Sequence, residues 1–554
     1  MAPPGRPAVA DPGSTPGDAK ASGGRLLRAA ATVGGLTVLS RIAGFVRDVM
    51  MAVALGVGPV ADAFLVALKL PNLFRRLFAE GAFAAAFVPM FSARVERDGI
   101  PAAMVFASRA ATVLILVLCA LTVFALIFMP YLIAALAPGF GDTASGDKRA
   151  ALAIGYALIT FPYLLLIATT ALFGACLNAT GRFAPFAAAP ILFNICLIGA
   201  CALAWWQGLA HGADATGWLL AGAVLLAGVV QLFAVGWFAR QARVLPRPAL
   251  VRRDPELGTL LQRIGPAAAS AGVQHLNTLL DLILASLLPV GAITFLYFAD
   301  RLYQLPLGVL GIAVGTALLP LLSRRIEASD WDGASIQLRH GIQVVLFIGL
   351  PSAAGLMAAA TPIISVLFTP EHTDGTAIAV RAYAVGVPAF LLLKVLQTAF
   401  FARGDTMAPL KAGIIGMAVN AVGSIAAIAT MDPHIAHAGL ALATSAGGWA
   451  TALVLLGWLI ADGRLRPGRA LLRRGLRMVL ASAVMGLIVL IVAGDLAAHW
   501  APEAGLLARV GSLLVILGTG VLCYGAGCVV LGLVSPAAAR EWLRRARGRG
   551  TQAD

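Results

Sequence analysis

Charge is scarce in this sequence: only 12% of its 554 residues are Asp, Glu, Lys or Arg, against roughly 25% in soluble domains. Acids are scarcer still, 26 against 41 Lys and Arg. With 60% hydrophobic residues and a mean hydropathy of +0.89, this shortage excludes water as the chain's main solvent. Cysteine is sparse too. The six present (Cys119, Cys176, Cys196, Cys201, Cys523 and Cys528) sit in apolar runs without metal-ligand spacing, which argues against a disulfide framework or a metal centre and for small buried hydrophobes. A cleavable leader is not expected either, because Arg41, Arg47 and Asp48 interrupt the first apolar stretch and no small-residue cleavage site follows.

What is present in quantity is long apolar segments. A helix needs about 20 mostly apolar residues to cross the hydrocarbon core, and such stretches recur near 28–56, 60–96, 104–136, 148–178, 184–207, 215–241, 257–288, 291–325, 335–368, 377–402, 408–430, 436–461, 471–494 and 505–533. The expected fold is therefore an all-α polytopic membrane protein of about fourteen spans. The net charge of +15 is a topology signal rather than a nucleic-acid footprint, because the basic residues alternate between connections. Arg94 and Arg97, Arg240 to Arg253, Arg324 and Arg325, Arg464 to Arg477, and Arg540 to Arg549 all fall on one side. The other side carries Asp142, Asp147, His211, Asp214, Glu371, Asp374, Asp432, Asp495 and Glu503, with Lys148 and Arg149 as exceptions. The positive-inside rule makes the basic side cytoplasmic, with both termini there.

An internal repeat divides these spans. AFLVALKLPNLFRRLFAEGAFAAAFVPMFS (63–92) lies without gaps over TFLYFADRLYQLPLGVLGIAVGTALLPLLS (294–323), Phe64 meeting Phe295 and Pro89 meeting Pro320. Both copies lead into basic connections, so they share an orientation, as in two-lobed transporters with substrate between the lobes. The expected organisation is a disordered tail over 1–24, an N-terminal lobe over 25–245, a C-terminal lobe over 246–465, two further spans over 466–535 and a basic tail over 536–554.

Ionisable groups inside a bilayer are costly, roughly 2.5 to 3.5 kcal/mol each on insertion scales, and usually face a cavity. Here they concentrate in few helices: Arg41, Arg47 and Asp48 in the first, Asp62, Lys69, Arg75, Arg76 and Glu80 in the second, Asp281 in the seventh, Asp300 and Arg301 in the eighth, and Lys394 in the tenth. Arg76 and Glu80 are four apart and suit a local structural pair. Arg47, Arg75 and Arg301 are then the better candidates for uncompensated charge, and guanidinium groups bind phosphate oxygens bidentately. A diphosphate or another polyanionic group fits them. Pro71 and Pro306 supply points of compliance for rocking between two states.

LSRIAGFVRD (39–48), ADAFLVALKLPNLFRRLFAEGAFAAAFVPMF (61–91) and YFADRLYQLPLGVLGIAVGTALLPLLS (297–323) resemble hallmark segments of the MurJ/MviN family of bacterial lipid II flippases, within the multidrug/oligosaccharidyl-lipid/polysaccharide exporter superfamily. GACLNATGRFAPFAAAPILFN (174–194) and FFARGDTMAPLKAGIIGMAVN (400–420) are similar turns at matching places in the two lobes. The resemblance implies alternating access that moves lipid II, the undecaprenyl-diphosphate-linked peptidoglycan precursor, from the cytoplasmic to the periplasmic leaflet of the inner membrane. It carries substrate-binding roles onto Arg41, Arg47, Arg75 and Arg301, and acidic cavity or gating roles onto Asp48, Asp62 and Asp300. The last two spans would form a groove for the polyprenyl tail. Gln304 stands where many relatives have an acid. Implied partners are lipid II, membrane lipids and the peptidoglycan synthesis machinery; no nucleic acid, metal or other cofactor is expected, and the sequence names no coupling ion.

Rival readings are a flippase for another polyprenyl-diphosphate-linked oligosaccharide, a cation exporter, a prenyl-diphosphate enzyme and a non-transporting cell-wall scaffold. A cation exporter calls for an acidic cavity. An enzyme calls for clustered acids or a partnered His, and His211, His372, His434, His437 and His499 lack Asp-rich neighbours. A scaffold has no use for intramembrane arginines.

Overall fold

The computed structural model describes residues 16–75, 83–141, 144–247, 249, 258–260, 262 and 276–534. Arg76 and Glu80, the expected structural pair, lie outside the described residues.

Helices account for almost all of the described chain, because a backbone crossing lipid must satisfy its own N–H and C=O groups. The first eight are α1 (Pro16–Leu55), α2 (Pro59–Phe74), α3 (Phe83–Ile127), α4 (Met129–Leu136), α5 (Ala144–Thr160), α6 (Tyr163–Ala179), α7 (Ala184–Trp206) and α8 (Asp214–Gln241). After them come α9 (Leu276–Ser286), α10 (Ala292–Glu327), α11 (Trp331–Leu367), α12 (Pro370–Ala384), α13 (Val387–Phe401), α14 (Met407–Thr430) and α15 (Ala436–Ala461). The chain closes with α16 (Arg469–Asp495), the short α17 (Ala497–Trp500) and α18 (Leu506–Val530).

Among the described residues, nine helices are long and apolar enough to cross a membrane, and α12 with α13, bent by 40°, makes a tenth. Standing apart from this set are α1, α2, α9 and α10, which bear almost all the intramembrane charge; the expected fourteen crossings need these four as well. Several expected spans are broken rather than straight. The stretch 148–178 divides into α5 and α6 at Phe161 and Pro162, and 377–402 divides at Val385 and Gly386 just before Pro388. Proline has no N–H to give the preceding turn, so the ladder restarts after it. At the other extreme α1 is longer than expected, beginning at Pro16 inside the stretch read as a tail.

Helices α1 to α8 pack among themselves and α10 to α15 do likewise; α2 against α10 and α1 against α10 join the two groups, while α16 and α18 lie on α11. The basic connections meet one another at one end. The backbone N–H of Arg247 donates to Ser108 Oγ at 3.1 Å, Arg403 pairs with Asp462 at 3.5 Å, and Arg466 pairs with Asp332 at 3.4 Å. At the opposite end one apolar core runs without a break from α2 and α5 into the beginnings of α10 and α12, through Phe64, Leu65, Phe298, Phe368 and Val380. The two helix groups are thus sealed together at the non-basic end.

Lys148 and Arg149, the exceptions to the charge alternation, are both engaged at that sealed end. Lys148 pairs with Asp214 at 2.9 Å. Arg149 is 4% exposed, sits 4.6 Å over the Phe140 ring and lies 3.8 Å from Asp62.

Candidate functional site

Between the two helix groups lies a cavity of about 610 Å³. It reaches from Tyr297 and Arg301 on α10, past Arg41, Gly44 and Arg47 on α1, to Val33 and to Asn178 and Phe183 beside the α6–α7 turn at the basic end. The four arginines proposed from sequence, Arg41, Arg47, Arg75 and Arg301, all line it. Lys69 joins them, and among the described residues the lining includes no carboxylate. Five cations therefore converge on one space in low-dielectric surroundings, where each charge acts more strongly than in water.

The first helix supplies two of these cations on adjoining faces. Arg41 reaches across to α10 at Gly308, where an added Cβ would stand 1.9 Å from its Nη1, so a side chain there would displace the guanidinium. Arg47 is held on three sides. Its Nη2 and Nε donate to Asp48 Oδ1 at 2.7 and 3.1 Å, its Nη1 donates to Asn194 Oδ1 at 2.9 Å, and the Phe193 ring lies 5.7 Å from it. Arg75 ends α2, with its Nε donating to Asn72 Oδ1 at 3.4 Å.

The acidic residues stand behind the cations instead of lining the cavity. Asp48 is 4% exposed and is shared between the lobes: besides Arg47 it meets Arg301 Nε at 3.5 Å and accepts from the Tyr297 hydroxyl at 3.3 Å. Arg301 also stacks over the Tyr297 ring at 4.7 Å. Asp300 accepts from Gln304 Nε2 at 2.5 Å, so the amide at position 304 serves as a donor to the neighbouring acid. Asp62 is fully buried and does not line the cavity. It accepts the backbone N–H of Gly291 at 2.8 Å, that of Thr294 at 3.1 Å and the Thr294 hydroxyl at 2.7 Å. These are the unpaired donors that begin α10, so a residue of α2 caps a helix of the other group.

Around that cap the sealed end is tight. Gly291 has φ 97°, and an added Cβ would come within 2.6 Å of Val57 on the α1–α2 turn. The N–H of Val57 lies 3.5 Å from Glu371 on α12. The intramembrane Asp281 is held by Asn420 Nδ2 at 2.7 Å, and Lys394 on α13 is exposed.

A second, apolar hollow of about 1190 Å³ lies between α10 and α11 on one side and α16 and α18 on the other, lined by Leu305, Phe347, Met485, Val489 and Val521 among others.

The family model described as "Lipid II flippase MurJ" matches residues 51–510. A "Probable lipid II flippase MurJ" of Rhizobium meliloti (strain 1021) is 38% identical over 535 residues, covering 95% of this chain and 97% of the relative. The chain belongs to the MurJ family. A second MurJ relative, from Vibrio cholerae serotype O1, is 34% identical with 92% of this chain and 97% of its own length covered. Among solved structures, "Lipid II flippase MurJ, inward closed conformation" is similar in fold with a TM-score of 0.72 at 24% identity, covering 90% of this chain and 98% of that one. The MurJ fold thus places a polytopic helical chain around the cationic cavity described above.

Three cavity residues of this MurJ chain are inconspicuous in the sequence. Lys69 shares its helix with Arg75 and, as a lysine, lacks the planar fork that points to phosphate. Tyr297 and Asn194 carry no charge to stand out in an apolar helix. Asn194 nonetheless had a signal, since the matched segments 174–194 and 400–420 both end on asparagine.

Proposed function

We propose that this protein moves lipid II across the bacterial inner membrane by alternating access, with the lipid's diphosphate held by Arg47, Arg75 and Arg301 and with Arg41 and Lys69 adding to the field. The observation that carries this reading is the convergence of five cations from α1, α2 and α10 on one cavity whose lining, among the described residues, includes no carboxylate. Guanidinium groups stay charged and take phosphate oxygens two at a time. The basic end is assigned to the cytoplasm by the positive-inside rule, which puts both termini there and opens the cavity to the leaflet where the precursor is made.

The contacts suggest how binding is linked to movement. Before substrate arrives, Asp48 occupies one side of both Arg47 and Arg301. A diphosphate carries more charge and more acceptor oxygens than one carboxylate, so it competes for both guanidinium groups and brings Arg75 on α2 toward Arg301 on α10. Neutralising that cluster lowers the repulsion that holds the basic end apart. The far end must then open, which requires Asp62 to leave Gly291 and Thr294. The apolar hollow beside α16 and α18 suits the polyprenyl tail, which keeps its contact with hydrocarbon while the head group crosses. No bond is made or broken in this cycle, so the protein is read as a transporter and not an enzyme.

The test is an Arg75→Ala, Arg301→Ala double variant, with lipid II measured in each leaflet after depletion of the native protein. Accumulation on the cytoplasmic leaflet, with the variant folded and present in the membrane, is expected. Wild-type translocation by that variant would defeat the assignment.

A further inference from the structure

Asn194 on α7 is 4% exposed and touches α1 through both ends of its amide. Its Nδ2 donates to the Ser40 carbonyl at 3.0 Å, and its Oδ1 accepts from Arg47 Nη1 at 2.9 Å. A carbonyl oxygen only accepts, and a guanidinium only donates, so the amide has one workable orientation. Gly44 lies beside it, an added Cβ there standing 3.5 Å from Asn194 Nδ2, which is ordinary contact. With Asp48 holding Nε and Nη2, the Arg47 guanidinium is bound along two edges.

The other half of the molecule repeats the device. Asn420 on α14, at the matching end of the 400–420 segment, donates through Nδ2 to Asp281 Oδ1 at 2.7 Å and to Asn277 Oδ1 at 2.9 Å, both on α9. In each half, then, an asparagine at the end of the matched segment fixes a charged residue on α1 or α9. The charges are opposite, and a neutral amide serves both because it can accept or donate.

From this we infer that Asn194 is a positioning residue for Arg47, setting the guanidinium's orientation toward a diphosphate while adding no negative charge of its own. Asp48 already contributes one carboxylate at this site. A second one in place of the amide would satisfy the same hydrogen bond but would compete with the phosphate oxygens. An amide holds the group without that competition. The inference rests on the reading that Arg47 meets the diphosphate.

Electrostatics and packing make different forecasts for two variants. Asn194→Asp keeps size and the acceptor toward Arg47 but gives up the donor toward the Ser40 carbonyl, whereas Asn194→Ala removes the side chain; a merely structural role makes each loss of affinity follow that variant's unfolding temperature, and the positioning role makes Asp worse than its stability accounts for. The experiment measures lipid II affinity and thermal unfolding of the purified full chain for the wild type, both variants and Arg47→Ala. Expected are a loss of about tenfold for Asn194→Ala, comparable to one hydrogen bond to a charged group, and a larger loss for Asn194→Asp with an unfolding temperature at or above that of the Ala variant. Affinity for Asn194→Asp equal to or better than for Asn194→Ala overturns the inference, as do losses in both that follow the fall in unfolding temperature. The Arg47→Ala arm separates the two levels: wild-type affinity there sinks the underlying reading, while weakened affinity there beside an unaffected Asn194→Asp sinks the positioning role alone.

Discussion

Asp62 on α2 accepts the backbone N–H of Gly291 at 2.8 Å, and the two residues are 229 positions apart in sequence. Through this bond a buried carboxylate of the first helix group ends the unpaired start of a helix in the second. Its removal leaves the N–H groups of Gly291 and Thr294 and the Thr294 hydroxyl without their acceptor. Asp62→Ala is expected to lower stability by about 1 to 3 kcal/mol, the range for stranded buried donors, read as a lower unfolding temperature in detergent. It should also raise thiol-reagent access to a cysteine placed at Val57. An unchanged access rate would show that the cap does not hold this end shut.

Gly308 allows Arg41 to lie against α10. Because an added Cβ would stand 1.9 Å from Arg41 Nη1, Gly308→Ala is expected to push the guanidinium aside and weaken lipid II binding several-fold. The helix itself should tolerate alanine, the best helix former. Binding equal to wild type, measured on the purified protein, would mean that Arg41 acts elsewhere.

Arg301 combines an ion pair with Asp48 and a stack on Tyr297. Lysine keeps the charge but has no planar fork to stack or to grip two oxygens. Arg301→Lys is therefore expected to bind lipid II about tenfold more weakly, the scale of one charge-assisted hydrogen bond, with the loss seen in titration of the purified protein.

The apolar hollow supplies a different control. Gly355 lines it, and the nearest atom to an added Cβ there is Met485 Cε at 3.8 Å. Gly355→Phe should obstruct the hollow and lower transport of the long-chain lipid while leaving inorganic diphosphate affinity unchanged. Equal losses of both would place the tail elsewhere.

Asp330 starts α11 outside the spans, accepting the Gly333 N–H at 2.8 Å and pairing with Arg325. Those two contacts hold its carboxyl below the ordinary 3.8. A depressed carboxyl contributes its stability above the unfolded value, and that contribution fades as pH falls through the folded value. Thermal melts below about pH 4 should therefore fall less steeply for Asp330→Asn than for wild type.

Much of this architecture could be read in the residues alone. The apolar runs, the alternating basic connections and the repeat around Phe64 and Phe295 follow from local rules: a bilayer demands about 20 apolar residues per helix, and charge tolerated inside it marks a cavity. The same rules singled out Arg47, Arg75 and Arg301, to which the family resemblance added Arg41, and explain why they were legible, since a guanidinium in an apolar helix is conspicuous. They also made Lys148 and Arg149 look like exceptions. Only the folded chain explains these two, because their partners Asp214 and Asp62 come from distant helices.

Tertiary structure alone decided the division of labour among the acids. Asp48 and Asp62 look alike in sequence, each an acid in an apolar helix. One lies between two cavity arginines, and the other caps α10 at the sealed end, because the approach of α1 and α2 to α10 fixes which donors surround each carboxylate. Asn194 was legible only as the shared end of the matched segments 174–194 and 400–420: an uncharged amide gives no hydropathy signal, and its role exists only where α7 brings it against Ser40 and Arg47. The long apolar helices were determined by the chain's own composition, whereas the partners of each polar group required non-local packing to bring them within hydrogen-bond reach.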